Sequence, residues 1–290
     1  IRIKNVQHLS KKNGRNAIVF QARTVGRSCV AAKKVVPVLT EVLRSGYYPD
    51  DSNRRIINEE YHQYIFIQED RFKLLSGVAR MNKGKSHFNG DNFLISRLEC
   101  GKAIAAIADG MGSGKRAYIE SRMVIELMEN CIDAGFDEKA SIDLINSAYI
   151  AGGGTGNPVT MDMSVIDCQS GYMHCMKLGA VSTFIRRDKW VEIIQSTTLP
   201  MGVLEQVDYD CTTKKLYDGD YIVMVSDGVL DNIPCVNKEE RMAQMIHALT
   251  IREPSAMAEK LLEQSLAYND MKASDDCTVL VLGLFDTYEK

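Results

Sequence analysis

The stretch that most constrains this chain runs from Ile104 to Glu120: Ile-Ala-Ala-Ile-Ala-Asp-Gly-Met-Gly-Ser-Gly-Lys-Arg-Ala-Tyr-Ile-Glu. The apolar run Ala103 to Ala108 has the length of a strand buried on both faces. It stops at Asp109. Glycines follow at alternate positions, Gly110, Gly112 and Gly114, and a helical pattern begins by about Lys115. Such glycines let the backbone approach a ligand and tolerate positive φ. A helix start favours anions. A strand that delivers a carboxylate into this turn suits a hard cation bound through oxygen. Asp-Gly is equally a common turn pair, so the stretch alone leaves both readings open.

Two phosphate-binding motifs can be tested here. A P-loop needs glycine five positions before the Gly-Lys pair and Ser or Thr after the lysine. The chain has Asp109 and Arg116 at those places, so the motif fails. The spacing Gly112, Gly114, Ala117 fits a dinucleotide fingerprint. Gly112 lies too far past the strand end for it, however, and a second helix pattern follows where the next strand should come.

The totals exclude several classes. At 290 residues, 45% hydrophobic and 25% charged, the chain has an ordinary globular composition. A net charge of -3 gives no basic surface for nucleic acid. The basic residues near the start, Arg2 to Lys34, read as a solvated face. The eight cysteines are scattered without a Cys-x-x-Cys pair, as expected of reduced, buried thiols in a cytoplasmic setting. The five histidines show no paired spacing for zinc. No apolar run is long enough to span a membrane, and no signal peptide is visible. Because the chain starts at Ile1, it is expected to belong to something longer, and any membrane anchor would lie in that preceding region.

Taken in order, the pattern is α+β. Ile1–Val6 and Ala17–Val25 read as strands, Lys11–Asn16 as a turn, and Ser28 as the cap of a helix to Arg44 with a possible start nearer Pro37. Tyr48–Asn53 reads as loop and Tyr61–Glu69 as extended. A boundary is expected near Asp70, giving a segment 1–70 and a domain 71–290. In the second part, strands are expected around Phe72–Arg80, Phe93–Glu99, Ala103–Ala108, Asp162–Asp167, Tyr172–Leu178, Val181–Arg186, Trp190–Gln195, Tyr209–Lys215, Tyr221–Val225 and Thr278–Phe285. Helices are expected at Lys115–Ile132, Asp137–Tyr149, Glu239–Thr250 and Ser255–Tyr268. The first of these has Ala117, Val124, Met128 and Cys131 on one stripe. The second has Ile142, Leu144, Ile145 and Ala148 as apolar positions.

Four acidic sites share one context. Asp91 precedes a strand, Asp109 and Asp227 each end one, and Asp275-Asp276 enter the last. A sheet can present such carboxylates to one cleft, where they repel unless cations neutralise them. A pair of divalent ions about 3.5–4 Å apart would do this and can serve phosphoryl chemistry. Four unrelated turn aspartates is the other reading. Thr160 and Asp162 either shape the cleft or belong to the core edge. Lys115 and Arg116 either contact phosphate or form a solvated helix start. Gly152–Gly156 is either a substrate-recognition loop or a linker. Leu199-Pro200-Met201-Gly202 reads as a structural turn. Met123, Met128, Met242 and Met245 read as core.

Asn89-Gly90-Asp91, Ala108-Asp109-Gly110-Met111-Gly112-Ser113-Gly114, Ser226-Asp227-Gly228 and Asp275-Asp276-Cys277-Thr278-Val279 occur in the order found in metal-dependent serine/threonine phosphatases of the PPM/PP2C type. The chain resembles that family from about Ser76 to Phe285, and in particular its bacterial sporulation and stress-response branch, typified by the stage II sporulation protein E family. The resemblance implies a four-layer αββα sandwich of two mainly antiparallel sheets flanked by helices, preceded by a short regulatory segment. It implies two Mn²⁺ or Mg²⁺ ions. Asp109 would bridge them, with the Gly110 carbonyl as a further ligand. Asp227 and Asp275 would hold one ion and Asp91 would help hold the other. Of the pair Asp275-Asp276 it points to the first, and catalysis is expected to depend on Asp109 and Asp227. Many relatives have Glu-Asp where this chain has Gly90-Asp91, so one carboxylate is absent. The implied substrate is a phosphorylated anti-anti-sigma factor of the STAS type, whose dephosphorylation activates a sporulation sigma factor. A homo-dimer is a further implied partner. A catalytically silent phosphoprotein-binding module and a nucleotide-binding ATPase or kinase are the alternatives.

Overall fold

The computed structural model describes residues 1–10, 15–98, 100–112, 114–152 and 157–287. The chain begins with β1 (Arg2–Leu9), β2 (Ala17–Arg23), β3 (Val30–Ala31), helix α1 (Val36–Leu43), β4 (Tyr47–Pro49), β5 (Ile56–Ile57) and β6 (His62–Gln68). It continues through β7 (Phe72–Met81), β8 (Asp91–Arg97), β9 (Lys102–Gly110), α2 (Lys115–Asp133) and α3 (Glu138–Gly152). Then come β10 (Val159–Asp167), β11 (Tyr172–Leu178), β12 (Thr183–Arg186), β13 (Val191–Ile194), β14 (Asp210–Lys215) and β15 (Tyr221–Val225). The last elements are α4 (Asp227–Asp231), α5 (Lys238–Ala248), α6 (Pro254–Leu266) and β16 (Cys277–Asp286).

Three antiparallel sheets result, besides the small ribbon of β3 and β5. The first has the order β1-β2-β6-β4. The other two are five-stranded, β14-β11-β10-β9-β8 and β13-β12-β15-β16-β7. They face each other across a core that includes Ala105, Ile107, Met173, Ile222, Met224, Leu280 and Leu282. Strand alternation sends the neighbouring residues outward. Ala106 and Ala108 therefore meet Val124 and Met128 of α2 and Ile142 and Ile145 of α3. Val223, Val225, Val279 and Val281 meet Met245 of α5 and Leu261 and Leu262 of α6. This is the expected αββα sandwich, in which each layer buries one apolar face against the next. Full burial of a Leu, Ile, Val or Met side chain stabilises such a core by about 1.5–3 kcal/mol.

Several local expectations change. Ser28 caps nothing, because residues 32–35 form a single 3₁₀ turn and α1 starts at Val36 with Pro37 in its first turn. Proline lacks the amide that a helix interior needs, so the start moves to it. Tyr48 and Pro49, at the start of the loop expected over Tyr48–Asn53, join Tyr47 in an edge strand that pairs with Phe66, Ile67 and Gln68. In α3 the buried stripe is Ile142, Ile145 and Tyr149, while Leu144 is 49% exposed, because the helix turns its 3.6-residue period toward α2 and β10. Asp91 opens β8 rather than preceding it, and β9 continues through Asp109 and Gly110. Lys11–Gly14 of the predicted turn, Ser113 of the glycine stretch and Gly153–Gly156 of the predicted loop lie outside the described residues.

Candidate active site

Strand parity places the acids. Ala105 and Ile107 of β9 point into the space between the sheets, so Asp109 does too. Asp109 pairs in register with Asp91 on one side and with Thr160 on the other. One step deeper, Asp162 lies beside Ile107. The facing sheet contributes from the ends of β15 and β16. Ser226 follows β15, and its hydroxyl accepts from the Thr278 amide at 2.9 Å. Asp227 begins α4 directly after it. Asp109, Thr160, Asp162, Ser226 and Asp227 line one cavity of about 60 Å³, together with Gly179–Val181.

Two glycines are required by close approach. A Cβ on Gly110 would stand 2.3 Å from the Ala117 carbonyl oxygen, and one on Gly228 would stand 2.2 Å from that of Asp276. No other residue permits contacts this near. The first turn of α2 thus rests directly on the strand end that carries Asp109. Ser121 of α2 also donates to the Gly90 carbonyl at 2.5 Å, and Asn92 donates to Ser121 at 2.8 Å. The helix is clamped to both acid-bearing strands.

The pair Asp275-Asp276 divides its work. Asp276 is buried and its carboxylate accepts two backbone amides, from Gly90 at 2.7 Å and from Lys83 at 2.7 Å. It fastens the Gly90–Asp91 turn across the sandwich. Asp275 is half-buried; it accepts the Asp276 amide at 2.8 Å and faces Lys83 Nζ at 3.4 Å. The same packing accounts for Gly90, where a Cβ would lie 3.2 Å from both Ala117 Cβ and Asp276 Oδ2. A glutamate there would need both neighbours to give way by a few tenths of an ångström. Asp276 as a fastener, Ser226 and Lys83 were not singled out by sequence. Their roles depend on pairing across the two sheets, which leaves no local pattern.

The electrostatics are those of crowded carboxylates. Asp91 is fully buried, and neither of its oxygens has a hydrogen-bond partner among the described residues. Burial pushes its carboxyl up to about 7, and the charges of Asp227 and Asp276 add to this. The Thr278 and Ser226 hydroxyls moderate the rise without meeting hydrogen-bond geometry. Burial likewise pushes Asp109 up to about 9, reinforced by Asp91, Asp227 and Asp275 and by a hydrogen bond to Asp227 that keeps the proton on Asp109. Asp227 is also raised by burial, against a hydrogen bond from the Gly228 amide, even though its residue stands exposed at the rim. Among the described residues, no three acidic, histidine or cysteine side chains stand in a ready ligating arrangement. The donor set nonetheless fits a hard divalent cation. It is all oxygen, it is crowded enough to hold protons, and it includes two buried oxygens with no other partner.

A pH dependence follows. An acid raised in the fold keeps a proton that the unfolded chain releases above about pH 4. Its contribution to stability is therefore whole below that pH and lost as pH rises toward 7 for Asp91 and 9 for Asp109. In EDTA the unfolding free energy should fall from pH 5 to pH 9 by on the order of a few kcal/mol once the partial exposure of Asp109 is discounted, and the melting temperature should fall with it. Saturating Mn²⁺ should flatten the slope. Thermal melts across that range decide it: a flat profile in EDTA would mean that the carboxylates are hydrated and independent.

Of the other candidates, Thr160 and Asp162 do shape the cleft. Arg116 pairs with Glu120 at 3.3 Å along α2, and Lys115 is exposed. Met128, Met242 and Met245 are core, with Met123 packed against it. Met201 bridges to Val159 in the predicted turn. All eight cysteines are free, with Cys131, Cys168, Cys175 and Cys277 buried. No helix among the described residues is long and apolar enough to cross a membrane.

Known proteins resemble this chain in sequence and fold. Stage II sporulation protein E of Bacillus subtilis (strain 168) is 29% identical over 253 residues, which is 87% of this chain and 31% of that protein. Its counterpart in Priestia megaterium is 30% identical over 253 residues, 87% of this chain and 43% of that protein. The chain thus spans less than half the length of either. A solved structure of the PP2C phosphatase domain and a fragment of the regulatory domain of SpoIIE from Bacillus subtilis superposes with a TM-score of 0.78. It is 28% identical and covers 99% of this chain and 83% of that one. Since the sequence model described as Stage II sporulation protein E (SpoIIE) also matches residues 100–285, which take in Asp109, Asp227 and Asp275, the chain belongs to the stage II sporulation protein E family.

Proposed function

We propose that this chain is a metal-dependent protein phosphatase that removes phosphate from phosphoserine or phosphothreonine on a STAS-type anti-anti-sigma factor, and so activates a sporulation sigma factor. The observation that carries the reading is Asp91: a fully buried carboxylate whose two oxygens have no hydrogen-bond partner among the described residues, in register beside Asp109. A fold tolerates such a group when a cation completes it. Asp109 with the Gly110 carbonyl, Asp227 and Asp275, and Asp91 would hold two Mn²⁺ or Mg²⁺ ions. When bound, such ions supply Lewis-acid stabilisation of phosphoryl oxygens and activation of water. The chain's own residues do the rest. Asp109 sits in register between Asp91 and Thr160, where it would offer its carboxylate to the ions. Asp276 and Ser121 keep Gly90 and Asp91 in place. Asp162 and Thr160 wall the cleft toward β10. On this reading no serine, cysteine or histidine nucleophile is needed.

The same reading divides the chain into residues 1–70, part of a regulatory region, and 71–290, the phosphatase domain. It places self-association and any membrane anchor in the longer protein. The likeness to a structure described as a phosphatase domain with a regulatory fragment supports that division. The direct test is phosphate release from a phosphoserine STAS protein, with Mn²⁺ or with EDTA, for wild type and Asp227→Asn. Turnover that needs Mn²⁺ and is lost in the variant is expected. A folded wild type that binds Mn²⁺ yet releases no phosphate would make the chain a binding module instead.

A further inference from the structure

The carboxylate cluster is approached by cations from the segment that ends β7. Arg80 donates to the Asp91 carbonyl and, at 3.4 Å, to the Thr278 hydroxyl. Its guanidinium also lies over the Phe93 ring. It is part of the frame. Lys83, three residues on, is held differently. Its main-chain amide is fixed to Asp276 Oδ1 at 2.7 Å, whereas its ammonium stands 3.4 Å from Asp275 Oδ2. The two side chains of that ion pair are 44% and 39% exposed. An exposed pair of this kind is worth about 0–1 kcal/mol, so it opens readily. The residue thus has a fixed backbone and a mobile charge, and the charge rests on an oxygen that the proposed ion also needs. Two cations cannot share that oxygen without mutual repulsion. Once displaced, the ammonium stays beside the carboxylate cluster on its tether to Asp276, where a compact, flexible point charge suits a phosphate oxygen.

We infer that Lys83 is a tethered counter-cation. It neutralises Asp275 in the metal-free protein, yields that carboxylate to the divalent ion, and then pairs with the phosphate of the substrate. This inference rests on the metal-dependent reading above and names a substrate-positioning residue for it.

The test uses Lys83→Met and Lys83→Arg, which both keep the backbone contact to Asp276. Isothermal titration with Mn²⁺ measures ion affinity without turnover. Inorganic phosphate added to the Mn²⁺-loaded protein then measures anion affinity. Lys83→Met should bind Mn²⁺ about two- to fivefold more tightly, the range of an exposed ion pair. It should bind phosphate roughly fivefold or more weakly, as loss of a charge-assisted contact requires. Lys83→Arg should keep phosphate affinity within about twofold of wild type, since the charge is retained. Mn²⁺ affinity that is unchanged or weaker in Lys83→Met overturns the inference, and so does unchanged phosphate affinity. If wild type takes up no Mn²⁺ at all, the metal-dependent reading fails. A wild type that binds Mn²⁺ normally, with Lys83→Met indistinguishable from it, sinks the role of Lys83 alone.

Discussion

Asp109→Asn should lower phosphate release by roughly 10³-fold or more, and in the same protein it should raise the melting temperature measured in EDTA. The first effect follows from the position of Asp109. It lies in register between Asp91 and Thr160, shares a hydrogen bond with Asp227 and is the carboxylate that Asp91, Asp227 and Asp275 press upon. Ions placed there supply several kcal/mol of transition-state stabilisation, and each 1.4 kcal/mol is a factor of ten in rate. The second effect has the opposite sign for the same reason. In the metal-free fold, Asp109 must keep a proton at pH 7–8 that the unfolded chain has released. An asparagine amide keeps the donation to Asp227 and removes that cost, for a gain of ~1–3 kcal/mol after the partial exposure of the site is discounted. A purely structural residue would lose stability when altered. Kinetics and melts on one preparation check both halves. Activity within tenfold of wild type, or a lower melting temperature in EDTA, would remove Asp109 from the proposed centre.

Much of this was legible in the sequence where the signal is local. The apolar run before Asp109 reads as a strand buried on both faces, and β9 is that strand. The stripe Ala117, Val124, Met128 and Cys131 reads as the inner face of a helix, and all four are buried. What was not legible depends on contacts between distant segments. Nothing near Asp276 says that its carboxylate reaches back to the amides of Gly90 and Lys83, yet that contact closes the cleft. Gly90 looks like a lost acid in the sequence. In the fold it is a tight position, where a Cβ would press on Ala117 and Asp276 at 3.2 Å. Tyr48 and Pro49 read as loop because their strand is short and lies at an edge, where pairing is decided by β6 and not by its own composition. Asp227 reads as the end of a strand, whereas the structure makes it the first residue of a helix too short to leave a periodic pattern.

Of the buried ion pair beneath the cavity only Asp162 was visible in the sequence, and removal of its partner Lys177 should have the largest effect on stability. Lys177→Met should cost about 3–5 kcal/mol, because it leaves a buried carboxylate without its counter-charge. Lys177 and Asp162 are 1% and 2% exposed and meet at 2.5 Å on adjacent strands of one sheet. Thr183, from the facing sheet, accepts from Lys177 at 2.7 Å and donates to the same Asp162 oxygen. The network therefore stitches the two sheets together directly under the cavity that Asp109 and Asp227 line. Two ions taken out of water are repaid by each other only while both are present. The double variant Asp162→Asn, Lys177→Met should accordingly recover most of the loss. Urea unfolding of the two single variants and the double variant closes that cycle. A loss below about 1 kcal/mol for Lys177→Met would mean that water from the cleft reaches Asp162. Failure of the double variant to recover would mean that Lys177 acts by filling space and not by its charge. If the cycle closes as expected, the floor of the cleft is electrically neutral. The carboxylates that bound cations would offset are then those above that floor, Asp91, Asp109, Asp227 and Asp275, at the ends of their strands.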